Sequence, residues 1–410
     1  MAEGGIRALL ANRRYASYLA SRLSLIVATQ MLSVAVGWQV YEITGQALAL
    51  GLSGLVLFVP GFLLALPGGH VADRIDRRKI LLVCHLGVAS CALLLALIAF
   101  SGIRSLLPIY AVLALLGTIR AFSGPAGQAL MPNLVDRKDL ERAVALGSST
   151  WQLAMIAGPS LGGVLYAATG RAGVVYAACT VMALFAFGSV LAIGKPPAHA
   201  EARKREPATW STLFAGLRYV WSNRPILGTI SLDLFAVLLG GAVALLPIFA
   251  RDLLHVGPWG LGVLRSAPAF GAATVAFLLA RFPLRRRAGI VMLACVMLFG
   301  LATIAFGLSH SFAVSLVALV VLGASDMISV VVRSTLIQTR TPDEMRGRVG
   351  AVNLVFIGAS NELGEFESGV TAAWLGPEVA VVVGGIGTCI VVVMWALMFP
   401  SLRNVDRLDE

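Results

Sequence analysis

Charge is scarce in this chain. Of its 410 residues, 13% are charged and 58% are hydrophobic, whereas a soluble domain averages about a quarter charged and about half apolar. That balance excludes an ordinary soluble domain and makes lipid the solvent for most of the chain. Cysteine is also sparse. Cys84, Cys91, Cys179, Cys295 and Cys389 lie in apolar stretches without CxxC or ligand-like spacing, so neither a disulfide framework nor a zinc site is expected, and they read as small core residues. His70, His85, His199, His255 and His310 are scattered, with no HExxH pair, and no Gly-x-Ser-x-Gly elbow occurs. A phosphate loop is missing too, since Gly194-Lys195 is followed by Pro196 and has Ser189 where the motif needs glycine. These absences argue against an enzyme, against a bound metal or cofactor, and against ATP as the direct energy source.

What the chain has is long apolar runs. A bilayer core of about 30 Å takes roughly 20 helical residues to cross. Twelve runs of that kind lie near 16–42, 47–72, 80–100, 108–130, 143–168, 172–194, 225–250, 259–280, 288–308, 312–335, 349–374 and 379–399. The first follows Arg7, Arg13 and Arg14 and is too long for a signal-peptide core, so it is expected to remain as a span.

A net charge of +11 would suit nucleic acid, but the cations fall on alternate loops. Arg74 to Lys79 follow span two; Arg137, Lys138 and Arg142 follow span four; Lys195 to Arg224 include six cations after span six. Arg281 and Arg285 to Arg287 follow span eight, and Arg340, Arg346 and Arg348 follow span ten. The opposite loops carry Arg104, Arg171 and Arg251. This asymmetry predicts a multi-pass protein of the cytoplasmic (inner) membrane with both termini in the cytoplasm, a partner for the lipid bilayer and not for nucleic acid.

The stretch Lys195 to Pro207 is the longest polar one and divides the spans six and six. The expected division is 1–194, a linker at 195–224, and 225–410. Within the linker, Trp210, Leu213, Phe214, Leu217 and Trp221 recur at helical spacing with Arg218 off the stripe, which predicts an amphipathic helix at the inner membrane surface. A repeat supports the division: Asp136 to Leu140 precede span five, and Thr341 to Met345 precede span eleven, an offset of 205 residues from 136 to 341. Thr341 as N-cap, Pro342 as first helical residue and Glu344 beyond predict a capping box, with Asp136 and Asp139 in the matching places.

Ionisable groups inside a bilayer cost several kcal/mol unless they face a bundle interior or water, so they mark the pathway side of a helix. Spans three, six, nine and twelve have none in their interiors, while spans four, seven and ten hold Arg120, Asp233 and Asp326, and span one adds Thr29, Gln30 and Ser33. Arg120 lies about twelve residues past Pro108, roughly 18 Å into its span. It suits an anionic substrate or the tuning of a carboxylate; the plainer role is to neutralise an acid. Asp233 is the first candidate for a proton carrier, because a desolvated carboxylate can exchange a proton near neutral pH; the alternative is a permanently paired ion. Asp326 is the next. In span eleven, Glu362 and Glu365 share a face by i, i+3 spacing while Glu367 points away, and Ser360, Gly364 and Ser368 form a ridge of small residues. Proton or cation handling and hydrogen bonding between halves are both open for these acids.

Two motifs remain. Gly69-His70-Val71-Ala72-Asp73-Arg74-Ile75-Asp76-Arg77-Arg78-Lys79 forms a short charged hinge between spans two and three, and span five carries Gly158-Pro159-Ser160-Leu161-Gly162-Gly163. The hinge resembles the loop between the second and third spans of major facilitator transporters, with Gly69, Asp73 and Arg77-Arg78 in place and Asp76 where that superfamily has a second glycine. Arg120 to Pro125 resemble the arginine motif of span four in proton-linked members. The span-five cluster resembles the antiporter motif of exporting members, with Ala154 in place of an earlier glycine. Ser360 to Gly369, Phe122 to Ala126 and Thr341 to Arg348 resemble the enterobactin-exporter-like, drug-proton antiporter branch.

The resemblance implies an all-α membrane protein of twelve transmembrane helices in two six-helix pseudo-symmetric halves, with spans one, four, seven and ten lining the cavity. It implies a secondary transporter, expected as a monomer, that exports a siderophore or drug against proton uptake by alternating access. Gly69, Asp73, Arg77 and Arg78 would act as a gating loop, and Gly158, Pro159, Gly162 and Gly163 would pack the moving interface. An importer of a small organic solute and a non-transporting sensor or scaffold are the rival readings.

Overall fold

The computed structural model describes residues 9–194, 210–284 and 286–406. The linker residues 195–209 and Arg285 lie outside the described residues. Among those described there is no strand. Span one is Arg13–Thr44, span three Arg77–Phe100, span four Leu106–Leu130, span five Leu140–Thr169 and span six Ala172–Ala192. Span eight is Gly257–Arg281, span nine Ala288–Gly307, span ten Phe312–Arg340, span eleven Asp343–Leu375 and span twelve Pro377–Met398. Spans two and seven are broken. Span two is Ala47–Leu63 followed by Ala65–Arg74. Span seven is helical over Arg224–Leu239, then passes through a 3-10 turn at Ala242–Leu245 and a π-helical turn at Phe249–Leu253.

By length and composition, nine helices among the described residues are apolar enough to cross a membrane. The three spans outside that set have visible reasons. Span two is split, span five opens on Glu141 and Arg142 and carries Ser148, Ser149, Thr150 and Gln152, and span eleven carries Glu362, Glu365 and Glu367 in its interior. The break in span seven falls at Gly240-Gly241, where the backbone runs against its neighbours: a Cβ on Gly240 would lie 2.5 Å from the Phe299 ring, and one on Gly241 2.6 Å from the Ser368 hydroxyl.

Contacts divide the chain into two compact units, Met1–Gln39 with Val56–Ala208, and Val40–Leu55 with Thr209–Glu410. Lipid offers no hydrophobic drive between helices, so they associate through backbone proximity at small residues. In the first unit a Cβ on Gly117 of span four would collide with the Leu57 carbonyl of span two, and one on Gly162 of span five would lie 2.8 Å from Met31 Cα of span one. The second unit repeats the arrangement. There a Cβ on Gly323 of span ten would collide with the Pro268 carbonyl of span eight, and one on Gly364 of span eleven would lie 2.9 Å from the Leu238 carbonyl of span seven.

One local expectation is corrected. Span eleven begins at Asp343 with Pro342 as its N-cap and no side-chain cap, and the buried Thr341 hydroxyl has no partner, so the capping box does not form. At the matching site Asp136 and Asp139 make no cap hydrogen bond either. The amphipathic helix is present at Trp210–Ser222 and packs on protein along one side: a Cβ on Gly216 would lie 2.7 Å from the Arg348 carbonyl, and Tyr219 donates to the Arg340 carbonyl at 3.1 Å. Leu217 packs with Val220, Ile226 and Val352, leaving Phe214 and Trp221 exposed.

Gly323→Ala should therefore lower the yield of folded protein, since overpacking costs about 1–3 kcal/mol. Gly188→Ala, where a Cβ meets nothing within 4 Å, should not. Membrane abundance and heat resistance of the detergent-extracted protein measure this; equal behaviour of the two variants would refute the close crossing.

Candidate functional site

Span seven starts cleanly because Asn223 accepts a hydrogen bond from the Ile226 N–H and Pro225 fills the first turn. This sets Asp233 well inside the helix, 5% exposed, where it forms an ion pair with Arg333 of span ten. Arg333 is 2% exposed and is among the largest fully buried side chains. One wall is aromatic: Trp395 donates its indole N–H to Ser231 at 2.9 Å and packs between Phe235 and Phe399, with ring centroids 5.3 and 5.8 Å away. Asp326, partly buried, lies seven residues before Arg333 on the same stripe and feels the charges of both Asp233 and Arg333. Span ten thus pairs one of the expected proton-carrier candidates, Asp233, and carries a second, Asp326, on the same face as the pairing cation.

Arg333 is not among the residues that the sequence singles out, where the acid-neutralising role falls to Arg120. Its position near the inner end of an apolar run reads as an ordinary interfacial cation. The available signal was its spacing, one heptad after Asp326. Arg120 itself is an exposed residue of span four.

In span eleven the i, i+3 expectation matches the geometry. A Cβ on Gly54 would lie 3.0 Å from Glu365 Oε2 and 3.7 Å from Glu362 Oε2, so both carboxylates converge on the bare backbone of span two. Glu367 accepts instead from Thr371 of its own helix, at 2.8 Å. Nearby, a Cβ on Gly369 would lie 2.8 Å from Gly51 Cα, and at the end of span one Tyr41 donates to Asp252 while the Arg251 guanidinium sits 5.4 Å from the Tyr41 ring centroid.

The remaining candidates lie in the first unit. Thr29 donates to its own helix at Ile26, Gln30 contacts the Met155 sulfur, and Ser33 is partly buried. Gln30 also meets the span-five cluster, since a Cβ on Gly158 would lie 2.6 Å from Gln30 Cβ; Gly163 and Pro159 are buried within the continuous helix of span five. In the hinge, Gly69 has open space around it, Arg77 donates to the Ala129 carbonyl at 3.4 Å, and Arg78 donates to Val190 and Leu191 carbonyls at 3.2 and 2.9 Å. The Asp73 side chain lies outside the described residues. Asp76, in the superfamily's glycine slot, is the N-cap of span three and accepts the Arg78 N–H at 2.9 Å. Its carboxylate is used by the helix start.

Breaking a buried pair leaves an uncompensated charge and costs about 3–5 kcal/mol, whereas removing both partners costs far less. Asp233→Asn should therefore reduce folded protein sharply, and adding Arg333→Gln should restore it. Abundance and thermal stability of the single and double variants decide; a double variant no better than the single would refute the pairing.

Over residues 9–410 the chain matches the transmembrane secretion effector family. It is 31% identical over 396 residues to the enterobactin exporter EntS of Citrobacter koseri, covering 94% of this chain and 91% of that protein. To the enterobactin exporter EntS of Escherichia coli K12 it is 29% identical over 395 residues, with the same coverage of 94% and 91%. Its fold is similar to the crystal structure of a bacterial homologue of the iron transporter ferroportin in the inward-facing state, with a TM-score of 0.70 at 16% identity over 96% of this chain and 99% of that one. With twelve helical spans, a repeated helix order and this match along nearly its whole length, the chain belongs to the transmembrane secretion effector family and is a membrane transporter of the major facilitator type.

Proposed function

We propose that this transporter exports a small amphipathic molecule, a siderophore or a drug, across the cytoplasmic membrane in exchange for protons. The observation that carries the coupling is the buried ion pair of Asp233 and Arg333, with Asp326 one heptad before Arg333 on the same helix: a second acid lies on the face of a buried cation inside a helix bundle, where a change of protonation alters the charge balance. Glu362 and Glu365, converging on Gly54, are further candidates. The absence of a phosphate loop in the sequence leaves an ion gradient as the energy source. The relatives named as enterobactin exporters support export and the siderophore class. Alternation would rock the halves 1–194 and 225–410 about the linker, with Gly69, Asp73, Arg77 and Arg78 stabilising one gate state and the span-five glycines packing the moving surface.

The test uses everted membrane vesicles supplied separately with a catecholate siderophore and a macrolide. Accumulation of one of them should require an acid interior and collapse on adding a protonophore with ATP held constant. Accumulation that survives the protonophore would overturn proton exchange; accumulation confined to right-side-out vesicles would overturn export.

Asp73→Asn should reduce accumulation at unchanged protein abundance, because the hinge is assigned to state balance and not to core packing. Equal accumulation at equal abundance would remove the gating role.

A further inference from the structure

Arg333 offers more than it uses. Its guanidinium holds Asp233, yet its Nε has no hydrogen-bond partner although the side chain is 2% exposed. Three buried hydroxyls on the same helix, Ser315, Ser325 and Ser329, are likewise without partners, and Ser329 is one turn from Arg333. A guanidinium has five donors in a fixed fork, and a buried donor left unmade is costly, so the unused edge points to a second arrangement in which it is used.

The acceptor for that arrangement is on the same stripe. Positions 326, 329 and 333 follow one another along one face of span ten, and a helical side chain leans toward the helix N-terminus, which carries Arg333 toward Ser329 and Asp326. The charged groups acting on Asp326 are Asp233 from span seven and Arg333 from its own helix; of the other helices packed against span ten, span nine carries no charged residue, span eight carries the partly buried Arg265, and span eleven carries Glu362, Glu365 and Glu367. Two carboxylates against one guanidinium leave the cluster at −1 unless it carries a proton. Of the two acids, Asp233 is closed off and already paired, and Asp326 is the more accessible.

We propose that Asp326, Arg333 and Asp233 form one proton-exchange unit, in which Asp326 carries the proton while Arg333 holds Asp233, and Arg333 turns its free Nε edge to Asp326 when that proton leaves. In an exporter the proton arrives at Asp326 from the outer side and departs to the cytoplasm, and no other atom changes hands. Ser329, between the two, supplies a hydroxyl that can accept from Arg333 or donate to Asp326 as the guanidinium shifts. Arg333 is in this scheme a positioning residue: it sets the pH at which Asp326 releases its proton. The proposal rests on the proton-exchange reading of function and assigns its site.

Infrared difference spectroscopy of the purified full-length protein in lipid vesicles tests this without a transport substrate. The wild type should show a protonated-carboxyl C=O band that is lost as pH rises. Asp326→Asn should remove that band, and Asp326→Glu should move its frequency while keeping it. Compared with D233N alone, the double variant D233N/R333Q should keep the band but lose it at a pH higher by about one unit or more, the effect expected on removing a neighbouring cation without changing the carboxylates. Arg333→Lys, which keeps the charge, should titrate near the wild type. A band that persists in Asp326→Asn, or a titration no different between D233N and D233N/R333Q, would overturn the proposal. Vesicle transport indifferent to the proton gradient, with the infrared pattern as expected, would instead overturn proton exchange as the transport mechanism and leave the ion cluster standing.

Discussion

Close approach of one helix backbone to a bare glycine on another is the contact on which the packing of both units depends. Lipid gives two apolar helices no reason to prefer each other over acyl chains, so their pairing requires a fit that lipid cannot match. That fit is made where Gly117 meets the Leu57 carbonyl and Gly158 and Gly162 meet span one, and again where Gly323 meets the Pro268 carbonyl and Gly364 meets span seven. The correspondence is positional as well as chemical: 206 residues separate Gly117 from Gly323, and 206 separate Gly158 from Gly364. The duplication read from the loop sequences, at an offset of 205 between positions 136 and 341, is therefore written into the helix crossings.

Such close packing excludes water from the surroundings of Asp233 and Arg333. A buried ion pair contributes little to stability compared with well-packed apolar residues, because desolvation of both charges offsets their attraction. Retaining one inside a lipid-embedded bundle is thus better explained by what it does than by what it holds. The incomplete satisfaction of Arg333, Ser325 and Ser329 points the same way, since a purely structural pair would leave no donor edge idle.

Much of the fold was legible because the signals are collective. Runs of apolar residues and cations on alternate loops each involve dozens of positions, and no single substitution hides them. The failures were local. Span seven reads as an unbroken apolar run over 225–250, but Gly240-Gly241 yields to close neighbours and the helix stops at Leu239. Thr341 and Glu344 have capping-box spacing, yet burial of the threonine and the proline at the N-cap position prevent it. Asp76 read as a surplus charge because its role as a helix cap depends on where span three begins. For the site, face-sharing by Glu362 and Glu365 followed from helical spacing alone, whereas the Asp233 and Arg333 pair joins residues a hundred apart, and only tertiary packing chooses that partner.

The repeat makes the ion cluster more informative, because its members can be traced to their counterparts. At the 206-residue offset, Asp233 corresponds to Val27 and Arg333 to Gly127, both uncharged, while Asp326 corresponds to Arg120. The first unit therefore has nothing equivalent to the buried pair, and at the one of these three positions where both units carry charge, the signs are opposite. Two copies of one helix arrangement have been given different chemistry at matching points. A carboxylate on the face of a buried guanidinium suits reversible protonation, whereas an exposed guanidinium remains charged at any physiological pH and suits contact with an anionic or hydrogen-bonding cargo. Under the proposed function, this division places proton handling in the second unit and leaves Arg120, with Thr29, Gln30 and Ser33 on span one, to meet the transported molecule.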